Sequence, residues 1–445
     1  MPEPESPTRN PMPAALGRYE VRAKLADGGM ATLYLGRLHG AAGFERPVAL
    51  KVIKEQFLQN REFVTMFMDE AKIVSRVSHP NIVQLYELGN EKDRLFIAME
   101  LLVGQSLWNV WQACRERNAC LRLDLIAWIG ARVGEGLHHA HELTDKDGKS
   151  IELVHRDVNA SNIFITYDGH VKLIDFGLVK ATNRVSRTAE GIVKGKIAYM
   201  SPEQSLGKPV DRRTDIFALG TTLWELTTDR RLFKKDKDLD TLRHIKDAIV
   251  PDPTELVADY PPKLWAAIKR SLAKDPNDRY ATMKEFVKDL DECAAGEGRN
   301  VSAGTLSEVM LALFASERER QMAWINEASE KPAAEPISVP NPYDSPRAYA
   351  EMGSTVEPPP GTLVPSSARD LPPPAALPKK TETTSEAQKT ESKPPPKKSD
   401  EGDRQSASAI TPADGSRKWL VGAVAIGTAA LVVALAAFVA AVLKK

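Results

Sequence analysis

The chain has 445 residues, more than one ordinary domain needs. Its 60 Lys and Arg balance 60 Asp and Glu, so no global field points to a nucleic-acid partner and none is expected. Three cysteines, Cys114, Cys120 and Cys293, show no metal-ligand spacing and cannot all pair, which argues against a disulfide or zinc scaffold and reads as reduced thiols in a cytosolic compartment.

Residues 1 to about 17 are Pro-rich and polar, with no apolar run of signal-peptide type, and are expected to be a disordered lead. From residue 18 to 292 the composition is globular. YEVRAKLADGGMATLYLGRL reads as strand, turn, strand, with Gly28 and Gly29 at the turn, where backbone can approach phosphate oxygens; a plain hairpin has the same signature. PVALKVI is an apolar strand with one lysine, Lys51. Glu70 follows 19 residues later, in a stretch whose apolar positions recur at helical spacing. His138, His139 and His141 lie on a helical run; their spacing permits a metal site, but the favoured reading is a plain helix end. Residues 144–152, with Asp147-Gly148, read as a surface turn.

LVHRDVNASNIFI then sets His155, Arg156, Asp157 and Asn162 between strand-like flanks. VKLIDFGLVK supplies Asp175, Phe176 and Gly177, and YMSPEQ supplies Ser201, Pro202 and Glu203. Phosphoryl transfer needs a cover over the phosphates, a cation on them, carboxylate and amide ligands for magnesium, and a carboxylate near the attacking hydroxyl. These runs offer each part, in the order of the protein-kinase signature set.

Three further segments follow. Residues 300–328 predict a helix, from Leu306, Val309, Met310, Leu313 and Phe314. Residues 331–418, with Pro-Pro-Pro runs and Ser/Thr/Glu tracts, read as a disordered linker of about 50 Å root-mean-square span. Leu420–Leu443 is 24 residues without a charge, flanked by Arg417, Lys418, Trp419, Lys444 and Lys445. As a helix of about 36 Å it can cross a hydrocarbon core of about 30 Å, so a single-pass anchor in the cell membrane is expected; the positive residues on both sides do not set its orientation, and a use of cytosolic ATP would place the remainder on the cytoplasmic face.

In these motifs the sequence resembles bacterial Hanks-type Ser/Thr protein kinases, over about residues 19–292. The resemblance implies an α+β, two-lobed protein-kinase fold: an antiparallel sheet with one helix in the small lobe, and a mainly helical large lobe. It implies ATP as co-substrate, Mg2+ (or Mn2+) as cofactor, protein substrates, and a homodimer if activation-loop phosphorylation occurs in trans. Lys51 would anchor the α/β-phosphates and Glu70 would orient it. Asp157 would position or deprotonate the acceptor hydroxyl, and Asn162 and Asp175 would hold the metal. The nucleotide would be enclosed by Leu25, Ala26, Asp27, Gly28, Gly29, Met30, Ala31, Thr32, Leu33 and Ala49, and by Glu100 and Leu102 of a hinge running Met99–Leu102. Val74, Leu85, His155 and Phe176 would stack as a regulatory spine, Asp215 would hold the catalytic loop, and Arg279 would pair with Glu203.

Three departures matter. The G-x-G-x-x-G positions read Ala26-Asp27-Gly28-Gly29-Met30-Ala31, so only the middle glycine remains. Asn159 stands where the family has a lysine that neutralises the transferred phosphoryl group. Gly195-Lys196-Ile197-Ala198-Tyr199 lacks the usual threonine but gains a lysine, so Lys196 is a candidate for the missing charge. No Ala-Ala-Arg pattern of tyrosine kinases takes their place. Arg156 beside Asp157 suggests an activation loop ordered by phosphate, on Thr188 first, then Ser186 or Thr182. The rival from another class is a pseudokinase, a membrane scaffold that binds partners without catalysis; the altered loop and Asn159 favour it, and the intact Lys51, Glu70, Asp157, Asn162 and Asp175 oppose it.

Overall fold

The computed structural model describes residues 12–176, 196–296, 300–330, 341 and 363–365. Alternation of apolar and polar residues builds the first layer. β1 (Ala15–Leu16), β2 (Tyr19–Asp27), β3 (Ala31–His39), β4 (Glu45–Ile53), β5 (Leu85–Glu91) and β6 (Arg94–Glu100) form one antiparallel sheet in the order β1-β2-β3-β4-β6-β5. One face carries Leu16, Tyr19, Val21, Val48, Leu50 and Phe96 into a cluster of its own. Strand β1 thus takes in the end of the segment read as a disordered lead, because Leu16 has a slot beside Tyr19 and Gly17 (φ +57°) makes the turn.

The short α1 (Glu55–Leu58) leads into α2 (Arg61–Val74), which Asn60 caps by accepting from Phe63 N. Phe63, Phe67, Ala71 and Val74 recur at 3–4 spacing and bury one face of α2. Below the sheet, β7 (Gly104–Ser106), β9 (Ile163–Thr166) and β10 (Val171–Leu173) make a small antiparallel sheet in the order β10-β9-β7. Between β7 and β9 run α3 (Leu107–Glu116), β8 (Ala119–Leu121) and α4 (Leu123–His141). Helix α4 is apolar almost all round and runs through the large lobe. Around it lie α5 (Pro202–Ser205), α6 (Arg213–Thr228), α7 (Asp238–Asp247), α8 (Pro262–Ser271) and α9 (Met283–Ala294). The result is the two-lobed kinase arrangement, a sheet with one long helix above a mainly helical lobe.

Helix α10 (Ala303–Glu330) goes further than its sequence pattern suggested. Its first half buries Leu306, Val309, Met310, Leu313 and Phe314 against the large lobe. The backbone then breaks at Phe314 (φ −137°, ψ 27°), and the second half takes Trp324, Ile325 and Ala328 to the small lobe. The start of α10 lies so close to the β9–β10 turn that a Cβ on Gly169 (φ +84°) would stand 1.9 Å from Ala303 O. Within the segment read as linker, Asn341 Nδ2 donates to Lys24 O and Leu25 O, and β11 (Leu363–Pro365) pairs antiparallel with β8. Among the described residues no helix is long and apolar enough to cross a membrane; Leu420–Leu443 lies outside them.

Candidate active site

The loop between α4 and β9 is assembled on one buried carboxylate. Asp215, fully buried on α6, accepts from His155 N and Arg156 N, each at 2.8 Å, and pairs with His141 Nε2 at 2.8 Å. Burial alone would raise its pKa. The hydrogen bond from His141, its electrostatic attraction and the backbone N–H of His155 outweigh that and hold it below the ordinary carboxylate value. His141 is thus a loop anchor, and among the described residues no group of three His, Cys, Asp or Glu side chains could hold a metal.

His155 is buried, and desolvation lowers its pKa, so the ring is neutral. Its tautomer follows from its neighbours: Nδ1 accepts from Asp157 N at 3.2 Å, so Nε2 donates to Ile174 O at 3.2 Å. Asn159 donates from Nδ2 to Asp157 O (2.8 Å) and Asp157 Oδ1 (3.2 Å), while its own oxygen accepts from Ser161 N (3.0 Å). Asn162 Nδ2 also donates to Asp157 O, at 2.8 Å. Arg156 adopts φ +62°, a left-handed conformation unusual for a side-chain-bearing residue.

The strand end beside this loop is tied to it, since Ile174 N donates to Asn162 O at 2.9 Å. The next residue, Asp175, is again left-handed (φ +54°), and its carboxylate pairs with Lys51 Nζ on β4. The cation of the small lobe and the carboxylate of the large lobe therefore meet directly. Phe176 packs at a tilt against His155 with ring centroids 4.6 Å apart, and Val74 and Leu85 are buried in the same core. Glu70 lies on α2 and Lys196 opens a 3-10 turn, Lys196–Tyr199, but both side chains lie outside the described ones. Gly177, Thr182, Ser186 and Thr188 also fall outside the described residues.

Beyond the turn, Tyr199 Oη donates to Glu225 Oε2 at 2.9 Å, and burial pushes both pKa values up. Ser201 caps α5 reciprocally with Gln204. Glu203 and Arg279 form a buried bidentate pair, with both N–O distances 2.8 Å. Burial would raise the Glu203 pKa, but the guanidinium holds it below the usual value.

Residues 19–290 match the family model described as the protein kinase domain. The chain belongs to that family. The tyrosine-protein kinase MasK of Myxococcus xanthus is 39% identical over 308 residues, covering 69% of this chain and 48% of that protein. A probable serine/threonine-protein kinase of Clostridium acetobutylicum is 34% identical, over 61% of this chain and 39% of that protein. The serine/threonine-protein kinase PknL of Mycobacterium tuberculosis is 35% identical over 292 residues, 65% of this chain and 69% of that protein. The chain thus spans about half or less of the first two relatives. Among solved structures, the kinase domain of M. tuberculosis PknI aligns with a TM-score of 0.48 at 26% identity, over 63% of this chain and 97% of that one.

In this kinase domain the β2–β3 hairpin is held lightly. Gly28 N donates to Ala31 O at 2.9 Å, and Asp27 takes Lys54 Nζ at 2.9 Å and Thr32 Oγ1 at 3.1 Å. The Lys54 hydrogen bond, first among several, holds the Asp27 pKa below its ordinary value. Ala26, Gly29 and Met30 complete the turn. The register pairs Leu33 with Lys51 and Leu35 with Ala49, so Leu33 and Ala49 flank the lysine. On the hinge, Glu100 Oε1 accepts from Gln84 N and Lys172 Nζ, both at 2.7 Å, so this side chain fastens β6 to β10; Leu102 lies half-buried in the connection to β7.

Two features escaped the sequence reading. One is Asn159, read there only as a lost lysine, whose amide is part of the loop's own bracing. The other is the second apolar stripe of α10. Gln321, Trp324, Ile325 and Ala328 continue the 3–4 spacing, so the signal existed, but spacing does not say which lobe a helix covers.

Proposed function

We propose that the chain transfers the γ-phosphoryl group of ATP to Ser or Thr hydroxyls of proteins, its own activation loop included, from a site anchored to a membrane by Leu420–Leu443. The observation that carries this reading is the direct Lys51–Asp175 pair beside the braced Asp157 loop. Lys51 offers a cation where the phosphates of ATP would lie. Asn162 commits its Nδ2 to Asp157 O, which leaves its amide oxygen, with the Asp175 carboxylate, as the hard oxygen donors that magnesium prefers. Bound there, Mg2+ would neutralise charge on the phosphates. Asn159 and Asn162 hold the Asp157 carbonyl, and Asn159 also holds Oδ1, so the carboxylate is fixed where it would orient the acceptor hydroxyl and take its proton late in the transfer.

The experiment uses the full chain with labelled ATP, Mg2+ and a generic protein acceptor, followed by phosphoamino-acid analysis. Label on Ser and Thr that disappears in Asp157→Asn supports the proposal. ATP binding without transfer makes the chain a pseudokinase. Label on Tyr favours the second reading, which rests on the 39% identity to a protein named a tyrosine kinase. For the anchor, a chain lacking residues 419–445 is expected to leave the membrane pellet and stay active. Continued pelleting would defeat the anchor assignment.

A further inference from the structure

Helix α10 touches both lobes, and its second half ends on side chains that serve the nucleotide. Trp324 is 1% exposed, the largest of the fully buried side chains. With Ile325 and Ala328 it shares one apolar cluster with Ala23, Leu25, Leu35 and Ala49, and with the half-buried Leu33, Met99, Leu101 and Val103. Leu25, Leu33 and Ala49 belong to the apolar lining of the proposed ATP enclosure, and Met99 and Leu101 belong to the hinge. One turn earlier, the buried Gln321 donates from Nε2 to Gly104 O at 3.4 Å, just past the hinge. Downstream, Asn341 holds Lys24 O at 2.9 Å and Leu25 O at 3.1 Å, at the end of the strand that leads into the hairpin. The first half of the helix is fixed independently to the large lobe: Ser307 Oγ donates to Tyr167 O at 2.8 Å, and Arg117 donates to Leu313 O at 2.9 Å.

We infer that Trp324 is a positioning residue for ATP: α10 is a strap across the hinge whose indole fixes Leu25 and Ala49 against the hinge and so sets the shape of the adenine side of the site. The inference rests on the proposed kinase reading of Leu25, Leu33, Ala49 and Met99–Leu102. The physical reason is packing. Tightly packed interiors transmit displacement, and an indole removed from this cluster leaves space into which β2 and the hinge can shift. The catalytic loop hangs on Asp215, away from this cluster, so its geometry stays as it is. The expected signature is weaker ATP binding with little change in the chemical step.

The test measures the ATP dissociation constant by calorimetry, and KM(ATP) and kcat with a protein acceptor, on full-length parent, Trp324→Ala, Trp324→Phe and Ile325→Ala. Trp324→Ala is expected to raise both ATP constants about tenfold while kcat stays within about twofold. Trp324→Phe is expected to recover most of the loss, and Ile325→Ala to show a smaller shift in the same direction. Met310→Ala, on the half of α10 that packs on the large lobe, serves as the stability control and is expected to leave the ATP constants unchanged. Unchanged ATP constants in Trp324→Ala and Ile325→Ala overturn the inference. So does tighter ATP binding, which would mean that α10 covers the site rather than shapes it, and so does an equal shift in Met310→Ala. A parent that binds no ATP removes the kinase reading and the inference with it, whereas a parent that binds and transfers normally isolates any failure to the inference.

Discussion

The 155–162 loop of the large lobe and the β2–β3 hairpin of the small lobe are built differently. Between His155 and Asn162 the polar groups answer one another: two backbone N–H groups on Asp215, His155 on Ile174, and two asparagines on the carbonyl of Asp157. Between Asp27 and Ala31 the structure relies on two backbone bonds, Gly28 N to Ala31 O and Lys54 N to Met30 O, on the Thr32 hydroxyl, and on half-exposed ion pairs from Asp27 to Lys54 and Lys24. Buried, mutually satisfied hydrogen bonds fix geometry before substrate arrives, whereas an exposed ion pair in water fixes little. On the proposed kinase reading the acceptor side is therefore preorganised, and the phosphate side is left to be shaped by its ligand and by what packs behind it.

The first way to break this comparison is to attack the large-lobe scaffold. Arg279→Ala leaves the buried Glu203 carboxylate without its cation and is expected to lower unfolding free energy by about 3–5 kcal/mol, measured in denaturant. A loss below about 1 kcal/mol would mean the scaffold is not what holds the lobe. The same pair gives a pH signature. The folded pKa of Glu203 lies below its unfolded value, so its stabilisation is complete above the unfolded pKa and is lost as pH falls through the folded one. Glu203→Gln should therefore flatten the acid limb of the stability profile.

The second prediction sharpens the comparison inside the catalytic loop. We propose that Lys196 supplies the cation that Asn159 does not, so Lys196→Ala is expected to lower kcat by about 10²–10³ with ATP affinity nearly unchanged. The cycle of Asn159→Lys and Lys196→Thr measures the exchange. Because Asn159 is buried and braces Asp157, Asn159→Lys alone should be harmful, and it should recover activity only in the Lys196→Thr background. A coupling energy near zero would make the two positions independent.

The smallest effect is expected on the hairpin. Asp27→Ala removes the pairs to Lys54 and Lys24 but should cost less than about 1 kcal/mol of stability, by thermal or denaturant unfolding. A larger loss would show that the hairpin is built as firmly as the catalytic loop.

What could be read in the sequence follows the same division. Asp157, Asn162, Asp175, Asp215 and the Glu203–Arg279 pair were legible because they stand at motif separations; the geometry joins Glu203 to Arg279 and hangs the Asp157 loop on Asp215 as the motifs imply. Leu306, Val309, Met310, Leu313 and Phe314 announced a helix because periodicity is local. The destination of Trp324 was not legible, since a stripe of apolar residues carries no address and the break at Phe314 redirects it. Nor was β1, because a two-residue strand has no period to detect. The Lys51–Asp175 pair joins residues 124 positions apart, beyond any local period, while the expected Glu70 partner has its side chain outside the described ones.

Gly169 gives α10 a mark in the sequence far from the helix itself. Its φ of +84° already favours glycine in the β9–β10 turn, and the 1.9 Å gap to Ala303 O forbids any side chain while the helix stays seated. A related chain with another residue at that position must hold its C-terminal helix elsewhere or lack one. A residue other than glycine there therefore reports against this seating of the helix start, even where the sequences after the domain have diverged too far to align; glycine itself reports nothing, since the turn favours it with or without the helix.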